Sequence, residues 1–252
     1  MTDTAAVWRA LAAGSGTVLL DGFHALKHAL RFGADVPLAV AADREAALAL
    51  AGDLAPDLLP ALEARLEPVT DGILRTLVPR PHPTGVAALA VRPPVAGPAC
   101  AHSPGRAPAV VLDNPRHLGN IGAVVRLAAG CGASAVYTTG TVDPWHPTVV
   151  RAAAGLHFAT RVEHRAPDAL PPGPLYALDP EGEDLRGRTL PDDALLAFGS
   201  ERHGLSGALR AHADHLVALP MRPQVSSYNL ATSVAMTLYH WMAQRPGPTT
   251  GG

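Results

Sequence analysis

Short apolar runs alternate along the chain with amphipathic stretches, a spacing that predicts strands and helices in turn. Residues 4–13 read as a helix and Thr17 to Leu20 (TVLL) as a strand. Asp21 is placed to cap a helix running to about Arg31, with Ala25, Leu26, Leu30 and Phe32 as its apolar face. A strand at 37–41 (PLAVA), helices at 43–51 and 56–65, an extended piece at 66–69, a helix at 71–77 and a strand at 85–91 follow. The pattern is that of a small α/β domain over residues 1–92.

Residues 93–108 hold five prolines and two glycines without periodicity and read as a linker. The alternation then restarts with a strand at 109–112 (AVVL). A helix at 120–130 buries Ile121, Val124, Val125 and Ala128, and a strand at 135–138 and a helix at 146–154 come next. Strands at 174–178 and 194–198, a helix near 205–212, a strand at 215–219 and a helix at 229–243 complete the pattern. Short, wholly apolar strands between helices predict a parallel sheet buried on both faces, in a domain spanning 109–244. The tail, 245–252, is expected to be disordered.

Composition narrows the function. The chain has 252 residues, a hydrophobic fraction of 48% and a formal net charge of −2, so any affinity for nucleic acid must come from a local basic patch. The basic residues are arginines apart from Lys27, and arginine suits bidentate phosphate contacts. Arg9, Lys27, Arg31 and Arg80 are candidate phosphate contacts, although ordinary solvated charge is the simpler reading of them. Cys100 and Cys131 form no metal motif or disulfide framework, which suits the cytoplasm. His212 and His215 lack a third ligand, so no metal is expected. The first residues, MTDTAAVWRALAAG, do not read as a signal peptide, and no apolar run approaches the roughly 20 residues a membrane span needs.

The chemistry concentrates at three strand–loop–helix corners, where unpaired helix N–H groups favour ligands. The first is LDNPRHLGNIGAVVRLAAGCGA (112–133), carrying Asn120 and Arg126. Alone, these suit an N-cap with a solvated arginine. An arginine among Val124, Val125, Leu127 and Ala128 is costly, however, unless paired or facing a cleft. The second is FGSERHGLS (198–206), where Gly199 and Gly204 permit tight turns beside Glu201. It lacks the G-x-S-x-G spacing of a hydrolase elbow. The third is LPMRPQVSSYN (219–229), in which Ser226, Ser227 and Asn229 either cap the last helix or face a ligand. A dinucleotide oxidoreductase is disfavoured, because GNIGAVVRLAAG is not a G-x-G-x-x-G loop.

Taken together, the corners resemble the SpoU (TrmH-type) family of RNA 2′-O-ribose methyltransferases in the SPOUT superfamily. The family's Asn-x-Gly motif with a following arginine is matched by GNIGAVVRLAAGCGA, its Gly-Ser-Glu turn by GSERHGLS, and its Pro-Met strand, loop and Ser-Leu-Asn helix start by LPMRPQVSSYNLATSVA. The first domain also resembles the family's ribosomal-protein-like substrate-binding domain. The resemblance implies an α/β fold with a C-terminal trefoil knot, a homodimer and S-adenosylmethionine as cofactor. It implies cofactor contacts at Gly199, Leu219, Tyr228, Met221, Ser227, Gly204 and Leu205, and RNA-binding or catalytic roles for Asn120, Arg126, Glu201 and Asn229. Arg202, Tyr228 and Ala153 depart from the family pattern, standing for a glycine, a leucine and a serine or threonine. Ribosomal RNA is the expected substrate. Transfer RNA, or a non-catalytic RNA-binding module on the same fold, is the alternative.

Overall fold

The computed structural model describes residues 3–94 and 107–245. Most of the expected linker and tail, together with Cys100, lies outside the described residues. The chain divides into two compact units, and residues 145–159 cluster with the N-terminal one although both their flanks belong to the other.

The N-terminal stretch folds as α1 (Thr4–Ala12), β1 (Thr17–Asp21), α2 (Phe23–Arg31), β2 (Leu38–Ala41), α3 (Arg44–Leu54), α4 (Leu59–Arg65), β3 (Leu66–Pro68), α5 (Asp71–Leu77) and β4 (Val86–Val91). The sheet order is β1-β4-β2-β3, with β4 antiparallel to both neighbours and β2 parallel to β3. Trp8, Val40, Leu74, Val78, Ala87 and Leu89 form a core cluster.

Asp21 does not cap α2. Gly22 holds that position at φ 103°, a backbone conformation that favours glycine. Asp21 ends β1, buried, where it accepts a hydrogen bond from the His82 N–H at 2.8 Å and pairs with Arg151 Nη1 at 2.8 Å. Arg151 arrives from 130 positions away, a partner no local pattern reveals. The buried face of α2 comprises Phe23, Ala25, Leu26 and Ala29, whereas Phe32 is 48% exposed just beyond the helix. Within the same unit, the His28 ring bonds the Ala154 carbonyl through Nδ1 at 2.7 Å, and burial pushes the pKa of this imidazole down.

The remaining elements are β5 (Ala109–Leu112), α6 (Leu118–Cys131), β6 (Ala135–Thr138), α7 (Pro147–Ala152), β7 (Arg161–His164), β8 (Leu175–Asp184), β9 (Leu195–Phe198), α8 (Gly207–His212), β10 (His215–Ala218) and α9 (Leu230–Ala243). Of these, α7 lies in the 145–159 segment of the first unit. The others build a six-stranded sheet ordered β10-β8-β9-β5-β6-β7, parallel at every pairing. Four strands, β5, β6, β8 and β9, contribute the core around Val111, Tyr137, Ala177 and Ala197. Helices α6 and α9 pack together, burying Ile121, Val124, Val125 and Ala128 on one and Val234, Leu238 and Trp241 on the other.

Two sheet features escape the apolar pattern. Strand β7 reads RVEH and hides its charge by pairing: buried Glu163 bonds Arg165 at 2.7 Å. Such charge on an edge strand discourages pairing with another sheet. Strand β8 runs on past Leu178 to Asp184. Its partner β10 pairs Leu216 with Ala177 and then jumps to pair Val217 with Glu183, so residues 178–182 bulge out of the ladder. Gly182 allows the close approach there, since a Cβ would meet the Val217 nitrogen at 2.5 Å.

Candidate active site

The sheet ends β8, β9 and β10 open into a cavity of about 470 Å³. That size suits a small-molecule ligand, and the carboxyl end of a parallel sheet is where such ligands bind. Three loops form it: the β8 bulge, the turn after β9 and the long loop between β10 and α9. Leu178, Phe198, Leu219 and Leu230 make an apolar wall, and Asp179, Glu201, Ser226 and Ser227 supply polar groups.

The turn after β9 is closed by reciprocal backbone bonds, Ser200 N–H to the Gly204 carbonyl at 2.9 Å and Gly204 N–H to the Ser200 carbonyl at 3.0 Å. Gly199 is required because a Cβ would collide with the Gly204 carbonyl carbon and the Leu205 nitrogen. The exit of the turn is anchored from below. Buried Asp113, at the end of β5, accepts the Ser206 N–H at 2.6 Å and the Thr139 hydroxyl at 2.9 Å. The Ser206 side chain then caps α8 by accepting from the Leu209 N–H.

One polar relay joins the three motif-bearing corners. Helix α6 begins at Leu118 with His117 as its cap, so Asn120 lies inside the first turn and its side chain is released from capping. The Asn120 amide donates to Glu201 Oε1 at 2.7 Å, and its carbonyl accepts from Asn229 Nδ2 at 3.3 Å. Asn229 does cap α9, accepting from the Ala231 N–H at 2.9 Å. Capping through its Oδ1 leaves the Asn229 Nδ2 group for Asn120.

Arg126 follows Asn120 by six residues, about 9 Å along the helix. It is exposed, so the burial cost expected of it is not incurred. Among the described residues no hydrogen bond or ion pair holds its guanidinium, and it lies outside the cavity lining.

Gly199, Gly204, Leu219, Met221, Ser227 and Tyr228 line the cavity. Leu205 does not; it packs against the core of the sheet. Tyr228 makes a bond that a leucine there would lack: its hydroxyl donates to the Pro220 carbonyl at 3.0 Å and ties together the two ends of the long loop. Arg202 is exposed at the cavity edge.

Arg9, Lys27, Arg31 and Arg80 belong to the N-terminal unit. Arg9 and Arg80 are exposed. Arg31 is committed to a two-pronged pair with Asp57, which also lowers the pKa of that carboxyl. His212 bonds the Ala208 carbonyl and His215 stacks on Tyr176. No group of three metal-ligating side chains occurs among the described residues. Burial pushes the Cys131 thiol up, away from a reactive thiolate. No described helix is long and apolar enough to cross a membrane.

Sequence reading missed Asp113, Asp179 and the bulge that carries the latter. The signal was present in LDPEG, an Asp-Pro and Gly cluster breaking a strand at the level of the other corners.

Residues 107–239 match the model of the SpoU rRNA Methylase family. The chain is 33% identical over 152 residues to the 23S rRNA (uridine(2479)-2′-O)-methyltransferase of Streptomyces viridochromogenes, covering 54% of this chain and 52% of that protein. It is 32% identical over 156 residues to an uncharacterized tRNA/rRNA methyltransferase of Synechocystis, covering 55% and 56%. The chain thus spans about half the length of these curated relatives. Among solved structures, the SpoU methyltransferase AviRb from Streptomyces viridochromogenes in complex with AdoMet superposes with a TM-score of 0.76 at 25% identity, covering 95% of this chain and 97% of that one.

Proposed function

The chain belongs to the SpoU rRNA methylase family, with the SPOUT fold, and on that premise we propose that it is an S-adenosylmethionine-dependent RNA 2′-O-ribose methyltransferase acting on ribosomal RNA in the cytoplasm. The observation that carries the reading is the relay Glu201–Asn120–Asn229 at the rim of a nucleoside-sized cavity. The cavity fits the cofactor chemically, with an apolar wall for a base and acceptors for hydroxyl and amino groups.

Gly199, Leu219 and Tyr228 hold the cofactor through their backbone, with Met221 and Ser227 beside them. S-adenosylmethionine supplies, when bound, a methyl group on a sulfonium. The relay fixes Glu201 and Asn229 relative to one another, which favours alignment of the incoming ribose. Arg126 binds a phosphate next to the target ribose and stabilises the negative charge that develops on its 2′ oxygen. A guanidinium holds its proton tightly and is a poor base, so this electrostatic role is preferred over proton removal. The N-terminal unit recognises folded RNA, with Arg9, Lys27 and Arg80 as phosphate contacts.

A homodimer is part of the reading. Helix α9 turns Met236, Tyr239 and Met242 outward, with Tyr239 71% exposed. An apolar stripe of this kind marks an interaction surface, and a two-fold contact between copies covers it on both.

Calorimetric titration with S-adenosylhomocysteine and with NAD⁺ tests the reading. Binding of the first alone supports it, and binding of neither or of NAD⁺ refutes it. Sedimentation of wild type against Tyr239→Glu tests the dimer, which the variant is expected to dissociate; a monomeric wild type would contradict it.

A further inference from the structure

Asp179 sits on the cavity wall, in the β8 bulge, and is 8% exposed. A carboxylate is buried to this degree only when its charge is matched and its oxygens are bonded. Both conditions are met from outside the cavity. Arg210 Nη1 of α8 pairs with Oδ2 at 2.8 Å, and the Glu181 backbone N–H donates to Oδ1 at 2.9 Å. The other guanidinium nitrogen, Nη2, holds exposed Glu181 at 2.5 Å, so one arginine clamps the bulge at two points.

This arrangement decides what Asp179 can still do. Its charge is spent on Arg210, which weakens any pull on a cation in the cavity. Its acceptor capacity is not spent, since an ionised carboxylate offers about four lone-pair sites and two are used. The clamp also fixes the carboxylate in place, so accepting a further bond costs little reorganisation. A fixed carboxylate with spare acceptor sites beside an apolar wall is suited to neutral hydroxyl donors, the chemistry by which acidic residues read nucleoside sugars.

We propose that Asp179 is a specificity-determining residue that accepts hydrogen bonds from the ribose hydroxyls of the cofactor, with Arg210 as the positioning residue that holds it. The inference rests on the cofactor reading above. It concerns the sugar of the cofactor, not the ribose of the RNA.

The test is calorimetric binding of S-adenosylhomocysteine and its 2′-deoxy and 3′-deoxy analogues to wild type, Asp179→Asn and Asp179→Ala. Melting of each unliganded variant checks its fold. Wild type should lose about tenfold or more in affinity for at least one deoxy analogue. The variants should lose about as much for the parent ligand and little further for that analogue, the non-additivity that marks a direct contact. An equal loss for all three ligands overturns the proposal, because the carboxylate then acts only through the bulge. A variant that loses affinity for S-adenosylmethionine but not for S-adenosylhomocysteine also overturns it, assigning the carboxylate to the sulfonium. A wild type that binds none of them defeats the cofactor reading itself, and the assignment of Asp179 with it.

Discussion

The side-chain amide of Asn120 donates to the Glu201 carboxylate at 2.7 Å, joining the first turn of α6 to the turn after β9 across 81 positions of sequence. Glu201 is exposed, so this bond is its tether at the cavity rim. Replacing Asn120 with Ala should lower kcat by about 10- to 100-fold, the range for losing a hydrogen bond to a charged group. Cofactor affinity should change far less. Single-turnover transfer with saturating cofactor reads the first quantity and calorimetry the second. An unchanged kcat would remove the relay from the mechanism.

Arg126 lies outside the cavity lining, in solvent, with no partner among the described residues. Arg126→Ala should therefore leave the melting temperature and cofactor affinity close to wild type, as exposed substitutions do. Methyl transfer should fall about 10²- to 10³-fold, the usual cost of losing one charge-stabilising donor. Equal loss of cofactor binding and transfer would refute the assigned role.

Tyr228 ties the loop between β10 and α9 through its bond to the Pro220 carbonyl. Tyr228→Phe keeps the ring and removes only that bond, worth about 0.5–1.5 kcal/mol. The dissociation constant for S-adenosylhomocysteine should rise about 2- to 12-fold, with kcat at saturation nearly unchanged. A variant with lowered kcat and wild-type affinity would contradict the latch.

Asp21 is 7% exposed and depends for charge neutralisation on Arg151, which is 41% exposed. Removing one partner of a fully buried pair costs about 3–5 kcal/mol, and the partly wet arginine reduces this. Arg151→Ala should cost about 2 kcal/mol in urea unfolding, with Asp21→Asn partly restoring stability in the Arg151→Ala background. No change in the single variant would show that the bond from the His82 N–H at 2.8 Å is enough for Asp21.

The sequence carried most of the architecture because wholly apolar strands such as AVVL and AVYT are unambiguous between amphipathic helices. It also carried the three corners, since Asn120, Glu201 and Asn229 lie in local motifs, and the structure brings those side chains into one relay. What stayed hidden depends on contacts between distant positions. Strand β7 is invisible as RVEH because Glu163 is neutralised by Arg165 within the fold. Asp21 looked like a cap because Arg151 is far away in sequence. Asp179 was passed over because its bulge exists only in the pairing of β8 with β10. The side-chain direction of Leu205 is hidden for the converse reason: the motif gives the turn but not which side chains point to the sheet.

The central claim is methyl transfer to an RNA ribose. Purified protein should be incubated with labelled S-adenosylmethionine and, separately, ribosomal and transfer RNA, and the product mapped for 2′-O-methylation. The account predicts label in ribosomal RNA at a single ribose, lost with Arg126→Ala. Label in transfer RNA alone would contradict the substrate. Transfer to neither RNA by a protein that binds the cofactor would contradict the claim itself.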